Sequence, residues 1–161
     1  MTEPTRLQVF VYGSLKRGQS NHERFCRDSI SVQEATVRGR LYELPLGFPA
    51  LIVPEADVLA TGTMDYLADA DTQNRVRANS HVISPGWDTV HGELLTFDDP
   101  EERLPTLDGL EGFRPGKDSL YRRVLIPVTL SERGTRVLAW TYVGEAASGG
   151  VYLPGGRWPE I

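Results

Sequence analysis

The sequence predicts an α+β fold, a small β-barrel with short helices packed against its outside. Three features point there. The first strand-like run, Leu7 to Tyr12, is apolar on both faces, as expected of a strand enclosed on both sides or lining a closed barrel. Further strand-like runs follow at 31–44, 50–53, 90–97, 121–130 and 136–143, separated by turns carrying glycine and proline. Helix-start signals appear only ahead of short segments.

Composition bounds the rest. A chain of 161 residues that is 40% hydrophobic and 24% charged reads as one globular domain over 1–161, long enough to bury a core. Its net charge is −5, and its basic residues do not cluster beyond Lys16-Arg17 and Arg122-Arg123, so nucleic-acid binding is not expected. Cys26 is the single cysteine, which leaves neither a disulfide framework nor a thiolate metal cluster and suits a reducing cytoplasm. No signal-peptide core is evident, and no apolar run approaches the roughly 20 residues of a membrane span. A cytoplasmic protein without membrane association is expected, its oligomeric state left open.

Taken in order, Val9 to Val11 ends in Tyr12-Gly13-Ser14-Leu15-Lys16-Arg17-Gly18. A small, polar, glycine-bearing turn at the end of a buried strand offers free N–H groups, which suit an anion; an ordinary strand exit is the plain alternative. Ser20-Asn21-His22-Glu23 fits a capping box, predicting a short helix through about Arg27 with His22 solvated or capping rather than a ligand. Gly39 interrupts 31–44 and suggests a bulge or a close backbone approach. Pro45 to Pro49 reads as a turn. Pro54 to about Asp88 is an irregular excursion with one weak helical pattern at 66–78, the kind of long connection often used as a lid or binding loop.

His91-Gly92-Glu93 resembles the start of a zinc deaminase signature, whose second half requires paired cysteines downstream; there are none. No spacing joins His81 or His91 to a ligand set, so neither metal nor cofactor is expected.

Asp98-Asp99-Pro100-Glu101-Glu102 is a helix start, with an Asp cap, proline at the first helical position and acids in the first turn. Leu104, Leu107 and Leu110 follow, and Gly112 suits the residue just past the helix end. Glu111 therefore falls near the apolar stripe in the last turn. Desolvation and the negative end of the helix dipole both disfavour its charged form and raise its pKa. A glutamate turned into solvent is the alternative. Residues 121–130 and 136–143 form two more strands about a turn at Ser131-Glu132-Arg133-Gly134, and the Gly/Pro-rich stretch from 144 reads as a loop or a loosely docked tail.

Val11-Tyr12-Gly13-Ser14-Leu15-Lys16-Arg17-Gly18-Gln19, Gly39-Arg40-Leu41-Tyr42, Pro49-Ala50-Leu51, Leu107-Asp108-Gly109-Leu110-Glu111-Gly112 and Tyr121-Arg122-Arg123 together resemble the γ-glutamylcyclotransferase family. The first segment, continued by Asn21-His22, is especially similar to its γ-glutamylamine cyclotransferase branch. The resemblance implies a small barrel whose cavity holds the γ-glutamyl group of a small-molecule substrate. It also implies backbone contacts to substrate from Tyr12, Gly13, Ser14 and Leu15, acid/base work by Glu111, and Tyr121 lining the site. The 54–88 stretch departs from the family pattern, which bears on leaving-group preference.

The implied reaction is internal attack of an α-amine on its own γ-carbonyl, giving 5-oxoproline and a released amine. Intramolecular positioning can contribute about 7–11 kcal/mol, so grip and shape carry much of it. An α-amine titrates near 8 and a normal glutamate near 4.3; a glutamate raised to about 6–7 takes the proton far more readily. Tyr121 is expected to donate a hydrogen bond or simply to pack. Arg122 and Arg123 face opposite sides of their strand and are left out of the site. Gly13→Val is expected to crowd the substrate. The alternatives are γ-glutamyl hydrolysis or transfer in the same cavity, a non-enzymatic small-ligand module, and a protein-interaction domain using 54–88.

Overall fold

The structure, a computed structural model, describes residues 5–76, 86–116, 121–144 and 150–159. Its centre is β1 (Leu7–Val11), which pairs antiparallel with β5 (Asp88–Phe97) and parallel with β7 (Arg136–Gly144). β5 pairs antiparallel with β2 (Ser31–Glu43), and β7 with β6 (Tyr121–Leu130). β2 then meets β6 at Ala35↔Leu130 and Thr36↔Thr129, closing a five-stranded barrel. The two-sided apolar pattern of the first strand has its reason here. Leu7, Val9 and Val11 pack into one core cluster with Leu104 and Leu107, while Phe10 and Tyr12 join a second cluster with Leu41, Leu94, Val124 and Val143.

β2 is a single 13-residue strand through Gly39, not a broken one. Its first part pairs with β5 as far as Gly39↔Asp88; from Arg40 on it pairs with β3 (Pro49–Ile52) and with β8 (Val151–Leu153). A Cβ at Gly39 would stand 2.7 Å from the Ile52 carbonyl oxygen, so the glycine marks a close backbone approach where the strand changes partners.

Three helices are described: α1 (His22–Phe25), α2 (Tyr66–Arg75) and α3 (Pro100–Glu111). α1 is shorter than expected, and the capping box is not formed: Asn21 stands at the N-cap, with no side-chain cap bond. α3 begins as read, with Asp99 at its N-cap and Pro100 first, but the Asp99 carboxylate accepts from Arg103 rather than from backbone. Gly112 ends it at φ 70, a left-handed conformation that glycine adopts without penalty.

Within the 54–88 excursion the structure forms a 3-10 turn at Glu55–Asp57, β4 (Ala60–Thr61) on the edge of β6, and α2, which packs on α3 and β1. Residues 77–85, which include His81 and the end of the expected 66–78 helix, lie outside the described residues. The tail corrects the expectation of loose docking. β8 adds to β2, the Gly156 carbonyl accepts from the His91 N–H (2.8 Å), and the Lys16 ammonium donates to the Trp158 carbonyl. No helix among the described residues is long and apolar enough to cross a membrane.

Candidate active site

Because β1 and β7 run parallel and β6 antiparallel to both, the ends of β1 and β7 and the start of β6 meet at one end of the barrel. The last turn of α3 and the β2–β3 turn reach the same place. Between them lies a cavity of about 420 Å³, within the range that accepts a small ligand. Tyr12, Gly13, Ser14, Leu15, Glu111 and Tyr121 all line it, so six residues read from three separate stretches of the sequence converge.

The turn after β1 is held from behind by α1. The Asn21 N–H donates to the Ser14 carbonyl (2.9 Å), and the Asn21 side-chain amide donates to Ser14 Oγ (2.8 Å). His22 is neither solvated nor capping: it is buried, with Nδ1 2.8 Å from the Leu15 carbonyl oxygen. Lys16 N–H bonds the Gly13 carbonyl (3.1 Å) and closes the turn. These bonds occupy the carbonyls. The N–H groups of Gly13, Ser14 and Leu15 donate to no acceptor among the described residues, which leaves a short row of donors beside the cavity.

Gly13 is required by packing. A Cβ there would lie 2.7 Å from Pro49 Cγ, so the crowding expected against substrate falls on the cavity wall instead. Gly13→Val should lower unfolding free energy by about 1–3 kcal/mol, the usual cost of overpacking, measured by urea denaturation.

Glu111 is half-buried and lines the cavity, close enough to Tyr12 and Tyr121 for its charge to act on both phenols. Burial raises its pKa from 4.5 to about 7. The surrounding phenols go the other way from reactivity: burial, and then the Glu111 charge, push Tyr121 up to about 12 and hold Tyr12 well above its ordinary value. Glu111 is thus the lining group poised to change charge near neutral pH.

The tyrosines are already engaged. Tyr121 Oη donates to the Pro49 carbonyl (2.7 Å), Tyr12 Oη to the Tyr142 carbonyl (2.5 Å) and Tyr142 Oη to Asp108 Oδ1 (2.6 Å). With its proton committed, Tyr121 shapes the wall and can only accept from a ligand.

Below this wall lies a group that the sequence reading left out. Arg123 is fully buried; Nε and Nη2 donate to the two oxygens of Asp108 (2.8 and 3.1 Å), and Nη1 to Asp69 Oδ2 (2.9 Å). Its inward direction was available from strand alternation, since Arg123 shares a face with Tyr121. Also missed as lining residues were Phe48, Pro49, Leu110 and Tyr142. Among the described residues no group of three His, Cys, Asp or Glu side chains is arranged to hold a metal ion.

The chain is similar to known proteins in sequence and in fold. A model of the family described as "Gamma-glutamyl cyclotransferase, AIG2-like" matches residues 9–77 and 77–160. The gamma-L-glutamyl-butirosin B gamma-glutamyl cyclotransferase of Niallia circulans is 25% identical over 137 residues, 84% of this chain; the chain spans 65% of that relative's length. Two crystal structures share the fold. One is a Bacillus subtilis protein (TM-score 0.56, 18% identity, 95% of this chain and 39% of that one). The other is an AIG2-like protein from Mus musculus (TM-score 0.53, 21% identity, 89% and 80%). With the family match running through the turn after β1, the last turn of α3 and the start of β6, this chain belongs to the AIG2-like gamma-glutamyl cyclotransferase family.

Proposed function

We propose that this protein is a γ-glutamyl cyclotransferase that converts a γ-glutamyl amide to 5-oxoproline and a free amine. The observation that carries the reading is one carboxyl, Glu111, raised to about 7 in a cavity that also presents the free amides of Gly13 to Leu15. The substrate's α-ammonium gives a proton to the Glu111 carboxylate. The amine nitrogen attacks the γ-carbonyl carbon, and the carbonyl oxygen becomes negative. The C–N bond to the leaving amine then breaks as Glu111 returns its proton to the departing nitrogen. The extra proton still on the new ring nitrogen passes through the re-ionised Glu111 to the released amine, which departs as an ammonium and leaves the neutral lactam. No water is consumed, and each bond made or broken lies within the substrate. The N–H groups after β1 supply fixed donors for an anionic substrate oxygen. Tyr12 and Tyr121 hold the walls that fold the γ-glutamyl chain back on itself, and positioning of this kind can contribute about 7–11 kcal/mol. Nothing in this sequence of steps requires a metal, and the lone buried thiol of Cys26 fits work in the cytoplasm.

The test is incubation with a panel of γ-glutamyl amides and peptides, with products resolved by mass. 5-Oxoproline supports cyclisation; free glutamate in its place means hydrolysis; neither product means a binding module. A second expectation follows from the sign of the shift. Glu111 accepts a proton only when ionised, which at a pKa of about 7 means above roughly neutral pH. The acid limb of the kcat/KM profile should therefore have its midpoint near pH 7, well above that of an ordinary carboxyl. A limb near pH 4.5 would remove Glu111 from the proton transfer.

A further inference from the structure

The turn after β1 carries one more uncommitted donor, an inference that rests on the function proposed above. A hydroxyl has one proton to give and two lone pairs to receive with. Among the described residues lining the cavity, hydroxyls stand on Tyr12, Ser14, Tyr121 and Tyr142. The three phenols give their protons away, to the Tyr142 carbonyl, the Pro49 carbonyl and Asp108. Ser14 does the reverse: its Oγ accepts from the Asn21 side-chain amide at 2.8 Å and donates to no described residue.

Asn21 imposes this direction. It stands at the N-cap of α1, where an asparagine side chain ordinarily accepts from the N–H groups of the first helical turn. Here it makes no cap bond. It fastens Ser14 twice instead, its N–H on the carbonyl (2.9 Å) and its amide on Oγ. Two bonds from one residue fix the Ser14 peptide and its side chain together. Because the amide brings a proton of its own to Oγ, the Ser14 proton has to point elsewhere. Both residues line the cavity, beside the free N–H groups of Ser14 and Leu15. A side chain that gives up its local use in this way marks a place where another demand prevails.

We propose that Asn21 is a positioning residue: it holds the Ser14 hydroxyl as a donor, alongside the N–H groups after β1, to an anionic oxygen of the bound γ-glutamyl group. Asn21 acts through Ser14.

The experiment reverses that one hydrogen bond. A carboxylate only accepts, so Asn21→Asp keeps a partner for Oγ but takes the Ser14 proton for itself. Asp serves as well as Asn at an N-cap, and urea unfolding should find the variant as stable as wild type. With the γ-glutamyl amide that wild type turns over fastest, Asn21→Asp and Ser14→Ala should each lower kcat/KM about 10–100-fold, the weight of one hydrogen bond to a charged group. The double variant should be no worse than Ser14→Ala alone, since the hydroxyl through which Asn21 acts is gone. Full activity in Asn21→Asp overturns the proposal, because a purely structural bond survives the exchange. So does a loss that persists undiminished in the Ser14→Ala background, which marks repulsion of the substrate by the new charge. If wild type yields 5-oxoproline from no amide, the cyclotransferase reading fails by itself. Calorimetric binding of γ-glutamylglycine to the same four proteins then decides the donor alone. Weaker binding in both single variants, with no further loss in the double, supports it; unchanged or absent binding overturns it.

Discussion

Glu111→Gln should lower kcat by about 10²–10⁴, the range for removing a general acid/base, while the folded structure persists. The substitution keeps the side chain's shape and its capacity to hydrogen-bond but abolishes proton transfer. It also separates the proposed chemistry from simple binding, because the γ-glutamyl group should still occupy the cavity. The same variant has an opposite effect on stability. In the unfolded chain Glu111 ionises near 4.5, but in the fold burial keeps it protonated up to about 7. Between those values the native state binds the extra proton, so the glutamate's contribution to folding worsens as pH rises through this window. The full difference amounts to about 3 kcal/mol. Glutamine has no such titration. Measured by urea unfolding, the stability of Glu111→Gln relative to wild type should therefore rise from pH 4.5 to pH 8 and level off above. A variant inactive and yet relatively more stable at alkaline pH is the signature of a carboxyl held in place for chemistry at a cost to the fold. An active glutamine variant would end the proposed mechanism.

How far the sequence anticipates this site depends on which residues announce themselves locally. Glu111 does, because helix geometry ties it to Leu104 and Leu107 and Gly112 fixes where the helix ends; the raised pKa follows from that placement. The turn after β1 does so only in part, because glycine and small residues there suit an ordinary strand exit as well; the five motifs taken together are what single it out. Phe48 and Leu110 do not, since an apolar residue in a turn or at a helix end looks the same whether it rims a cavity or faces solvent. His22 was misread for a related reason. Its partner is the Leu15 carbonyl seven residues back, and the closed turn that brings them together has no periodic pattern. The tail was misread because glycine and proline signal a break in regular structure but not docking. The three residues of β8 pair with Leu41, Tyr42 and Glu43, contacts made more than 100 residues away along the chain and invisible to any local window. Tyr121 was legible as a wall residue but not in its bonding, since the Pro49 carbonyl that takes its proton arrives from another hairpin.

Arg123→Met should cost about 3–5 kcal/mol, the largest stability loss expected from a substitution that does not touch the cavity directly. The guanidinium is fully buried and answers two carboxylates, Asp108 on α3 and Asp69 on α2; Thr63 adds its carbonyl at 2.9 Å, and the ring of Trp140 lies 5.0 Å from the guanidinium carbon. Removing the cation leaves two acids out of water with no countercharge, and that, rather than the lost bonds themselves, sets the cost. Adding Asp108→Asn to Arg123→Met should recover part of it, so that the double variant is far less destabilised than the two single effects summed. The same arrangement helps to hold α2 against α3 and the barrel. Asp69 accepts from Thr63 N–H and Oγ1 as well as from Arg123, so α2 is tied through one buried guanidinium to the helix that carries Glu111. Asp108 stands one turn before Glu111 and also takes the Tyr142 hydroxyl of the cavity wall. The charge that anchors the excursion therefore also fixes the last turn of α3, and any loosening there moves the carboxyl on which the proposed proton transfer depends.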